Sequence, residues 1–301
     1  MRHVFIINPA AGRQNSSKIV IDRINAAFKD YYQEAIIELA QYKGHAMEIT
    51  ARYASEGIPT VFYCCSGDGT LGEVVEPIIG LAHCAFAPIP IGTGNDYVRY
   101  FGKDSHERFL DIGMLLNGTR EKVDVLMADG KCCLNIASSG FDAMVARRVE
   151  LFKNIPFISG ETAYNLSTAY CFFTSVKNNM GFEIDGKLYQ NKDYIFAVIA
   201  NGMYYGGGFK ASPISDIRDG MIDFITVPTV SRFKMLSMME SYRKGEHLDK
   251  YDFITHTRCK SVRLIADREI PLNIDGNITM AKNPYIEIVP KAVEIVLPYE
   301  A

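Results

Sequence analysis

Blocks of apolar residues with the lengths of strands and helices alternate along roughly the first 120 residues of the chain. Runs typical of buried strands lie at His3–Ile7, Ala35–Leu39, Thr60–Cys65 and Cys84–Ile89. Segments with apolar residues at helical spacing follow them, at Ser16–Tyr31, Gly44–Ser55, Leu71–Ile79 and Asp104–Asn117. Strands that alternate with helices of this length predict parallel βαβ units, and hence a doubly wound α/β domain with a parallel sheet.

Beyond about residue 122 the pattern becomes mainly strand-like. The predicted strands are Val123–Met127, Cys132–Ile136, Gly181–Ile184, Leu188–Tyr189, Tyr194–Ala200, Ile222–Val227, Ser261–Ala266, Tyr285–Val289 and Val293–Leu297. Asp129-Gly130 and Asp185-Gly186 are hairpin turn signals, and helices are predicted at 156–177 and 231–243. We therefore predict an α/β domain over 1–122 and a mainly antiparallel domain over 123–291, with residues from about 292 to 301 returning to the first domain.

The charge balance restricts the partners of the chain. The net charge is −3 and the isoelectric point is near 6.1. Affinity for a phosphate backbone needs clustered Lys and Arg, so we predict no nucleic-acid partner. Any attraction to anionic lipid must come from a local patch.

The cysteine pattern predicts reduced, buried thiols. The chain has seven cysteines, and two adjacent pairs, Cys64-Cys65 and Cys132-Cys133, lie in strand-like runs. Neighbours on a strand point to opposite faces, so neither pair suits a disulfide bond or a metal clip. An odd count without a signal peptide is typical of the cytoplasm.

No apolar run reaches the roughly 18–20 residues that span a bilayer. The longest candidate, Ala163–Val176, is interrupted by Asn165, Ser167 and further hydroxyl residues. It predicts an amphipathic or buried helix. We therefore predict no transmembrane segment.

Glycine-rich motifs come directly after three strands of the first predicted domain. They are Asn8-Pro9-Ala10-Ala11-Gly12, Ser66-Gly67-Asp68-Gly69-Thr70 and Gly92-Thr93-Gly94-Asn95-Asp96. The carboxyl ends of parallel strands lie on one edge of a sheet, where ligands bind. We therefore expect these three loops to converge on one site.

The chemistry of the three loops suits a nucleotide triphosphate. Glycines let the backbone approach an anion, and the free amides at a helix start bind phosphate. A carboxylate among phosphates would repel them unless it binds Mg²⁺ or takes a proton, which makes Asp68 the candidate for those roles. The chain has no P-loop signature, and no Gly-x-Gly-x-x-Gly follows its first strand, so those nucleotide folds are excluded.

Further motifs extend the pattern over nearly the whole chain. They are Gly44-His45-Ala46, Glu73, Arg99, Asp124, Gly140-Phe141-Asp142, Gly206-Gly207-Gly208, Asp219-Gly220 and Ile274-Asp275-Gly276. Together with the three loops, and in this order, they resemble the diacylglycerol kinase catalytic-domain superfamily, which includes bacterial lipid kinases and sphingosine kinases. The NAD kinases share Gly-Asp-Gly but not the Gly-Thr-Gly-Asn-Asp loop.

The resemblance implies a Rossmann-like first domain, a β-sandwich second domain that holds the lipid acceptor, and Mg²⁺-dependent transfer of the ATP γ-phosphate to a lipid hydroxyl. The residues it assigns to ATP are Asn8, Pro9, Ala10, Ala11, Gly12, Gly67, Asp68, Gly69, Thr70, Leu71, Gly72, Glu73 and Thr93. It assigns catalysis to Asp68, Asp124, Asp275 and Asn277, with Asp68 and Asp124 organising Mg²⁺ and water. It also implies a structural Mg²⁺ at Asp216, Asp219 and the Met221 carbonyl, although this segment equally suits a solvated turn.

The chain departs from the family pattern at Asp275-Gly276-Asn277. The family usually reads Asp-Gly-Glu there, and its Glu is thought to deprotonate the acceptor hydroxyl. Asn277 cannot take a proton at physiological pH, and base catalysis is typically worth about 10²–10⁴-fold. Asp68 or Asp275 are the candidate substitutes. Arg13 keeps a positive charge beside the first loop, whereas no Lys aligns near Ser167, where some bacterial members carry one.

Three hypotheses follow. The first is a lipid kinase acting on diacylglycerol or a related lipid, located in the cytoplasm and peripherally at the membrane. The second is a nucleotide- or lipid-binding protein with weak catalysis, and the third is a kinase of another hydroxylated small molecule. Pro156–Val176 and Met203-Tyr204-Tyr205 are candidate acceptor linings or membrane contacts, or plain core. A homodimer is compatible with all of these features.

Overall fold

The computed structural model describes residues 1–12, 15–29, 31, 34–153, 170 and 178–299. The chain divides into two compact units, one formed by Met1–Val125 with Val289–Ala301 and the other by Leu126–Ile288. The predicted helix at 156–177, which includes Ala163–Val176, lies outside the described residues except for Tyr170, and so does Arg13. Within the described part, no helix is both long enough and apolar enough to cross a membrane.

The first unit is a parallel sheet with helices, as the alternating pattern predicts. Its strands are β1 Arg2–Ile7, β2 Ala35–Leu39, β3 Thr60–Ser66, β4 Cys84–Pro90 and the later part of β15 Tyr285–Leu297, in the order β2–β1–β3–β4–β15. Its helices are α1 Ser16–Phe28, α2 His45–Ala54, α3 Asp68–Val75, α4 Asp96–Arg99, α5 Ser105–Phe109 and α6 Ile112–Leu116, with a 3₁₀ turn at Glu76–Ile78. Neighbouring strands in this order pair in parallel.

The centre of this sheet is covered on both faces. Every residue of β3 and β4 is buried, which explains why both strands read as continuous apolar runs rather than as alternating ones. The edge strand β2 has no fully buried residue. The loops that follow β1, β3 and β4 therefore project from the most deeply buried strands of the unit.

The second unit is antiparallel, as predicted. Its strands are β5 Thr119–Ala128 (from Leu126 on), β6 Lys131–Cys133, β7 Ile136–Gly140, β8 Asn178–Ile184, β9 Lys187–Ala200, β10 Ile222–Pro228, β11 Thr255–Cys259, β12 Ser261–Ile265, β13 Ile270–Ile274, β14 Asn277–Ala281 and the start of β15. Its helices are α7 Phe141–Lys153, α8 Arg232–Lys244 and α9 His247–Lys250. The strands form an antiparallel β-sandwich.

Strand β9 shows how the core of the second unit is divided. Phe196, Val198 and Ala200 belong to one buried cluster, which includes residues of α7 and α8. Ala197 and Ile199, which alternate with them, belong to a second cluster formed by the other strands. Because successive side chains of a strand point to opposite faces, this one strand supplies both clusters.

Both hairpin turns predicted from Asp-Gly pairs are present. Asp129 and Asp185 have φ values of 48° and 47°, and the glycines that follow them also have positive φ. Two consecutive residues with positive φ form the tight turn that matches the twist of antiparallel strands. A third turn of this kind, Asp275-Gly276 between β13 and β14, was not assigned as a hairpin from the sequence.

Two predicted elements are interrupted in the structure. The helix expected over Asp104–Asn117 is two short helices, because the Asp111 carboxylate accepts a hydrogen bond from the Met114 amide and starts α6 anew. The strand expected over Cys132–Ile136 ends at Cys133, because the next amides bind a carboxylate elsewhere in the chain, as described below. Helices α4, α7 and α9 and strands β7, β11, β13 and β14 were not predicted.

The six cysteines in the described part of the chain are free and buried: Cys64, Cys65, Cys84, Cys132, Cys133 and Cys259. Burial raises the pKa of each thiol whose shift is resolved, for example that of Cys259 to about 12. Burial thus keeps five of these thiols, those of Cys64, Cys65, Cys84, Cys133 and Cys259, protonated and unreactive at neutral pH, in agreement with the sequence pattern.

Acid is expected to destabilise the second unit through His247. This side chain is fully buried against the ring of Tyr242, and burial lowers its pKa from 6.5 to about 4. As the pH falls from 6.5 to 4, the unfolded chain therefore takes up a proton first and stability is lost. Between pH 7 and pH 5 we expect the unfolding free energy of wild type to fall by about 2 kcal/mol more than that of His247→Leu. Urea denaturation at the two pH values measures this, and the exposed His106→Leu should keep the wild-type pH dependence.

Candidate active site

The three glycine-rich loops of the first unit meet, as their positions after parallel strands predict. The Gly92 amide donates a hydrogen bond of 3.2 Å to the Ser66 carbonyl. A Cβ atom built on Gly92 would lie 2.5 Å from the Gly67 Cα, and one on Gly12 would lie 2.1 Å from the Ile91 carbonyl oxygen. Only glycine allows backbones to approach this closely, so these glycines fix how the loops fit together.

Asn8 connects the first of these loops to the second. Its side-chain amide donates a hydrogen bond of 3.0 Å to the Thr70 hydroxyl, and its Oδ1 accepts one of 3.0 Å from the Ala10 amide. The second bond shapes the loop into an Asx turn. Pro9, Ala10 and Gly12 are exposed beyond it.

Asp68 connects the second loop to the third. Its Oδ2 accepts a hydrogen bond of 3.0 Å from the Asp96 amide, and its Oδ1 accepts one of 3.0 Å from the Tyr97 amide. Both donors lie at the start of α4, where backbone amides have no partner inside the helix. The carboxylate thus anchors two loops, although each oxygen keeps a second lone pair for another ligand.

Glu73 extends the contacts to the Gly44-His45 segment. Its Oε1 accepts a hydrogen bond of 3.0 Å from the Gly44 amide. Burial raises the pKa of this carboxyl group, while the Gly44 amide and Lys43 lower it. Glu73 therefore positions a neighbouring loop.

The resulting edge presents the donors that a polyphosphate requires. Helix α3 starts at Asp68, and the first amides of a helix carry partial positive charge towards a ligand. The Thr93 side chain is exposed, and Gly69, Thr70 and Gly72 are partly exposed, whereas Leu71 is buried and offers only its backbone. The residues predicted to hold ATP are thus brought together at one end of the sheet.

Asp124 has a different environment from the three loops. It is fully buried, and its Oδ1 accepts a hydrogen bond of 2.7 Å from the Lys291 amide. Lys291 has a φ of 51°, a left-handed conformation that costs an ordinary residue about 1–2 kcal/mol. The carboxylate therefore stabilises an irregular position in β15, and its predicted role with Mg²⁺ stays a prediction.

Asp275, in the second unit, binds three consecutive backbone amides. Its carboxylate accepts hydrogen bonds of 2.6 Å from Leu134, 3.1 and 3.3 Å from Asn135, and 3.0 Å from Ile136. These bonds separate β6 from β7. Because these amides occupy the lone pairs of the carboxylate, the geometry favours an anchoring role for Asp275. Asn277 follows at the start of β14.

The segment predicted to hold a structural metal is organised by arginines. Asp216 accepts hydrogen bonds from the Arg218 amide and guanidinium, both at 3.1 Å. Asp219 accepts one of 2.9 Å from the Met221 amide and forms an ion pair with Arg258. Within the described residues, no group of three or more acidic, His or Cys side chains is arranged to hold a metal. Arg218 and Arg258 thus share the carboxylate oxygens of Asp216 and Asp219, and the predicted Mg²⁺ site at Asp216, Asp219 and the Met221 carbonyl stays a prediction.

A cavity of about 170 Å³ lies in the second unit. Tyr205, from the aromatic loop considered as an acceptor lining, is one of its walls, and its hydroxyl lies 3.1 Å from that of Tyr242. Asp142 also lines the cavity. The sequence motif Gly140-Phe141-Asp142 contains this residue, but spacing alone assigns it no role.

Comparison with known families agrees with both units. The profile of the diacylglycerol kinase catalytic domain matches residues 2–128, and that of the YegS C-terminal NAD kinase beta sandwich-like domain matches residues 135–297. The chain belongs to the family of diacylglycerol kinases and YegS-like lipid kinases. The second profile alone covers more than half of the chain.

Individual members of the lipid kinase family match over most of their length. The chain is 25% identical to the diacylglycerol kinase of Bacillus subtilis, over 98% of this chain and 96% of that protein. It is 28% identical to a probable YegS-like lipid kinase of Stenotrophomonas maltophilia, over 82% of each chain. The crystal structure of a putative diacylglycerol kinase from Bacillus anthracis superposes with a TM-score of 0.76 at 23% identity, over 98% of this chain and 95% of that one, which shows the shared fold.

In this member of the lipid kinase family, the Gly67–Gly92 contact is expected to be essential for the site. A Gly92→Ala variant should bind ATP at least about 10-fold more weakly, because the methyl group would push two loop backbones apart. Isothermal titration with ATP measures the loss. Gly113→Ala is the matched control, since its methyl group would meet only a side-chain oxygen at 3.2 Å. Equal ATP affinity in Gly92→Ala and wild type would contradict the expected role of the contact.

Proposed function

We propose that this protein transfers the γ-phosphate of ATP, bound as its Mg²⁺ complex, to the hydroxyl of diacylglycerol or a related lipid. The observation that carries the proposal is the convergence of the three glycine-rich loops on the amide-rich edge of the parallel sheet. Membership of a lipid kinase family supplies the class of acceptor.

The chain's own residues bind and orient the nucleotide in this proposal. The amides at the start of α3 and the hydroxyls of Thr70 and Thr93 donate to phosphate oxygens, while Asn8 and Asp68 hold the loops in register. Mg²⁺ that arrives with ATP would neutralise charge on the phosphates, and the free lone pairs of Asp68 are the nearest candidate ligands in these loops. Phosphoryl transfer depends mainly on positioning and charge, so a site without a strong base can still be active.

A direct assay tests the proposal. Purified protein is incubated with Mg²⁺, ATP labelled at the γ-phosphate and a mixed lipid extract, and label is followed into the lipid fraction. We expect transfer by wild type. If wild type binds ATP but labels no lipid, the kinase proposal fails.

Asn277 favours a second candidate, a nucleotide- or lipid-binding protein with little catalysis. Asn277 stands where the family resemblance places a Glu base, and Asp275 is engaged by three amides. In the same assay, Asn277→Glu distinguishes the two. If wild type labels no lipid but the Asn277→Glu variant does, the result supports the binding protein. If wild type itself labels lipid, the binding-protein candidate is excluded.

The solvent face of α8 supports peripheral attachment to a membrane with anionic lipids. Phe233 and Leu236 are 86% and 57% exposed on this face. The helix carries four basic residues and one acidic residue, in a chain whose net charge is −3. Exposed apolar side chains beside cations suit an interface where rings enter the lipid and ammonium or guanidinium groups meet phosphate.

Vesicle sedimentation tests this attachment. We expect binding to phosphatidylcholine vesicles only when phosphatidylglycerol is added, and at least about 10-fold weaker binding by Phe233→Ser/Leu236→Ser. Leu188→Ser is the matched control, because Leu188 is 69% exposed on β9. Equal binding by the double variant and the control would exclude this face.

A further inference from the structure

Arg99, the last residue of α4, is fixed against the third glycine-rich loop. Its Nε and Nη2 atoms donate hydrogen bonds of 3.2 and 3.1 Å to the Gly94 carbonyl oxygen. The Nε atom also lies 3.2 Å from the Asp96 carboxylate, and the Asp96 amide donates to Asp68. Arg99 therefore belongs to the same framework as Asp68.

The two bonds to one carbonyl oxygen fix the direction of the peptide group between Gly94 and Asn95. In a trans peptide, the C=O group and the following N–H group point in opposite directions. The Gly94 carbonyl is held towards Arg99, so the Asn95 N–H group points to the opposite side. In the part of the chain that the structure describes, no acceptor meets the amides of Thr93, Gly94 and Asn95. These N–H groups are thus available to a ligand of the loop.

The conformation of Asn95 favours rotation of this peptide. Its φ of 54° lies in the left-handed region, which residues with a side chain adopt at a cost. Rotating the Gly94–Asn95 peptide by half a turn would return this φ to negative values, and Gly94 has no side chain to oppose the rotation. The rotation would exchange the N–H and C=O groups. An oxygen would then face the side from which an N–H group can bind phosphate.

The contacts of Arg99 contribute little to the stability of the unit. The side chain is 46% exposed, and exposed ion pairs are typically weak because solvent screens them. The fold therefore does not depend on this guanidinium group, whereas the direction of the Gly94–Asn95 peptide does. This difference separates a role in the site from a role in folding.

We propose that Arg99 is a positioning residue of the nucleotide site, which holds the Gly94–Asn95 peptide so that the Asn95 N–H group faces the phosphates of ATP. The inference rests on the proposed function, because it takes the third loop as part of an ATP site. Arg99 acts through the peptide group and not through its own charge. The planar guanidinium group places two donors on one oxygen, which the single ammonium group of lysine cannot reproduce.

The variants Arg99→Lys and Arg99→Gln test this role. Isothermal titration gives the Kd of ATP, and circular dichroism gives the midpoint of thermal unfolding. We expect the Kd to rise about 10-fold in both variants, because a hydrogen bond from an amide to a charged phosphate is lost. The midpoint should stay within about 3 °C of wild type. Arg52→Gln is the matched control, because Arg52 is an exposed arginine of the same unit that forms an ion pair with Glu38. It should bind ATP as wild type does.

Three results would overturn the proposal. ATP affinity at the wild-type level in Arg99→Lys would show that charge alone suffices. An unchanged Kd in both variants would show that the peptide needs no clamp. Weaker ATP binding together with a midpoint lower by more than about 6 °C would show a general loss of structure.

The lipid-labelling assay separates this inference from the kinase proposal. In a protein that labels lipid, the KM for ATP should rise in both Arg99 variants by the same factor as the Kd, with an unchanged KM for lipid. If wild type labels no lipid but both variants bind ATP about 10-fold more weakly, the role of Arg99 is supported and the kinase proposal fails. If wild type labels lipid and both variants bind ATP equally well, the kinase proposal stands and the role of Arg99 is overturned.

Discussion

An Asp68→Asn variant is expected to lose at least about 100-fold in kcat/KM for phosphoryl transfer to lipid. Asp68 ties the start of α3 to the amides of Asp96 and Tyr97, each at 3.0 Å. In Asn, one of the two acceptor oxygens is replaced by an NH₂ group, which would face a backbone N–H. The two loops would then separate, and a misplacement of about 1 Å in a site that works by positioning costs on the order of 100-fold.

The nucleotide affinity of Asp68→Asn shows which role the residue has. If Asp68 anchors the loops, the Kd of ATP should rise in Asp68→Asn while kcat falls, because the loops themselves move. A role as proton acceptor predicts a lower kcat with unchanged ATP binding, and that result would contradict the anchoring account. Asp22→Asn, on the exposed face of α1, serves as the control for the loss of one negative charge.

An Asp275→Ala variant is expected to lose at least about 3 kcal/mol of unfolding free energy in the second unit. The substitution leaves the amides of Leu134, Asn135 and Ile136, all in a buried segment, without their acceptor. Each buried donor left without a partner costs about 1–3 kcal/mol. Thermal unfolding followed by circular dichroism should show a midpoint lower by roughly 6–12 °C.

The Asp129→Ala variant is the control for Asp275→Ala. It shows how much of the lost stability comes from placing Ala in a turn of this kind and how much from the lost hydrogen bonds. Asp129 lies in the same kind of turn, with a φ of 48° that is close to the 45° of Asp275. Within the described part of the chain its carboxylate accepts a hydrogen bond from a single backbone amide, that of Tyr285 at 2.8 Å. The two variants share the cost of placing Ala at positive φ. If both lose equal stability, the amide contacts of Asp275 contribute little.

The sequence was sufficient for features that depend on neighbouring residues. Asp-Gly pairs adopt positive φ with little cost, so the turns at Asp129-Gly130 and Asp185-Gly186 could be located from two residues each. The convergence of the glycine-rich loops followed from a general property of parallel sheets, in which the carboxyl ends of strands share an edge. Both predictions are confirmed by the structure.

Features that depend on distant backbone could not be derived in this way. The strand predicted over Cys132–Ile136 is interrupted because its amides bind Asp275, a residue about 140 positions further along the chain. A local apolar pattern contains no information about such a partner. Similarly, the motif that includes Asp142 gives no sign that both of its carboxylate oxygens would be shielded from solvent.

Asp68, Asp124 and Asp275 all bind backbone amides, and this has a consequence for mutational tolerance. Every residue except proline offers the same N–H group, whatever its side chain. The hydrogen bonds from Tyr97, Lys291 and Leu134 therefore do not depend on the side chains at these positions, proline excepted, although burial of Tyr97 and Leu134 restricts them to residues that fill the core. The acceptor positions should accept almost none. A saturation mutagenesis map of this chain should thus show intolerant aspartates whose partners vary under other rules, with large apolar residues accepted at the buried Tyr97 and Leu134 and polar ones accepted at the exposed Lys291. The two ends of one interaction then evolve under unequal constraint.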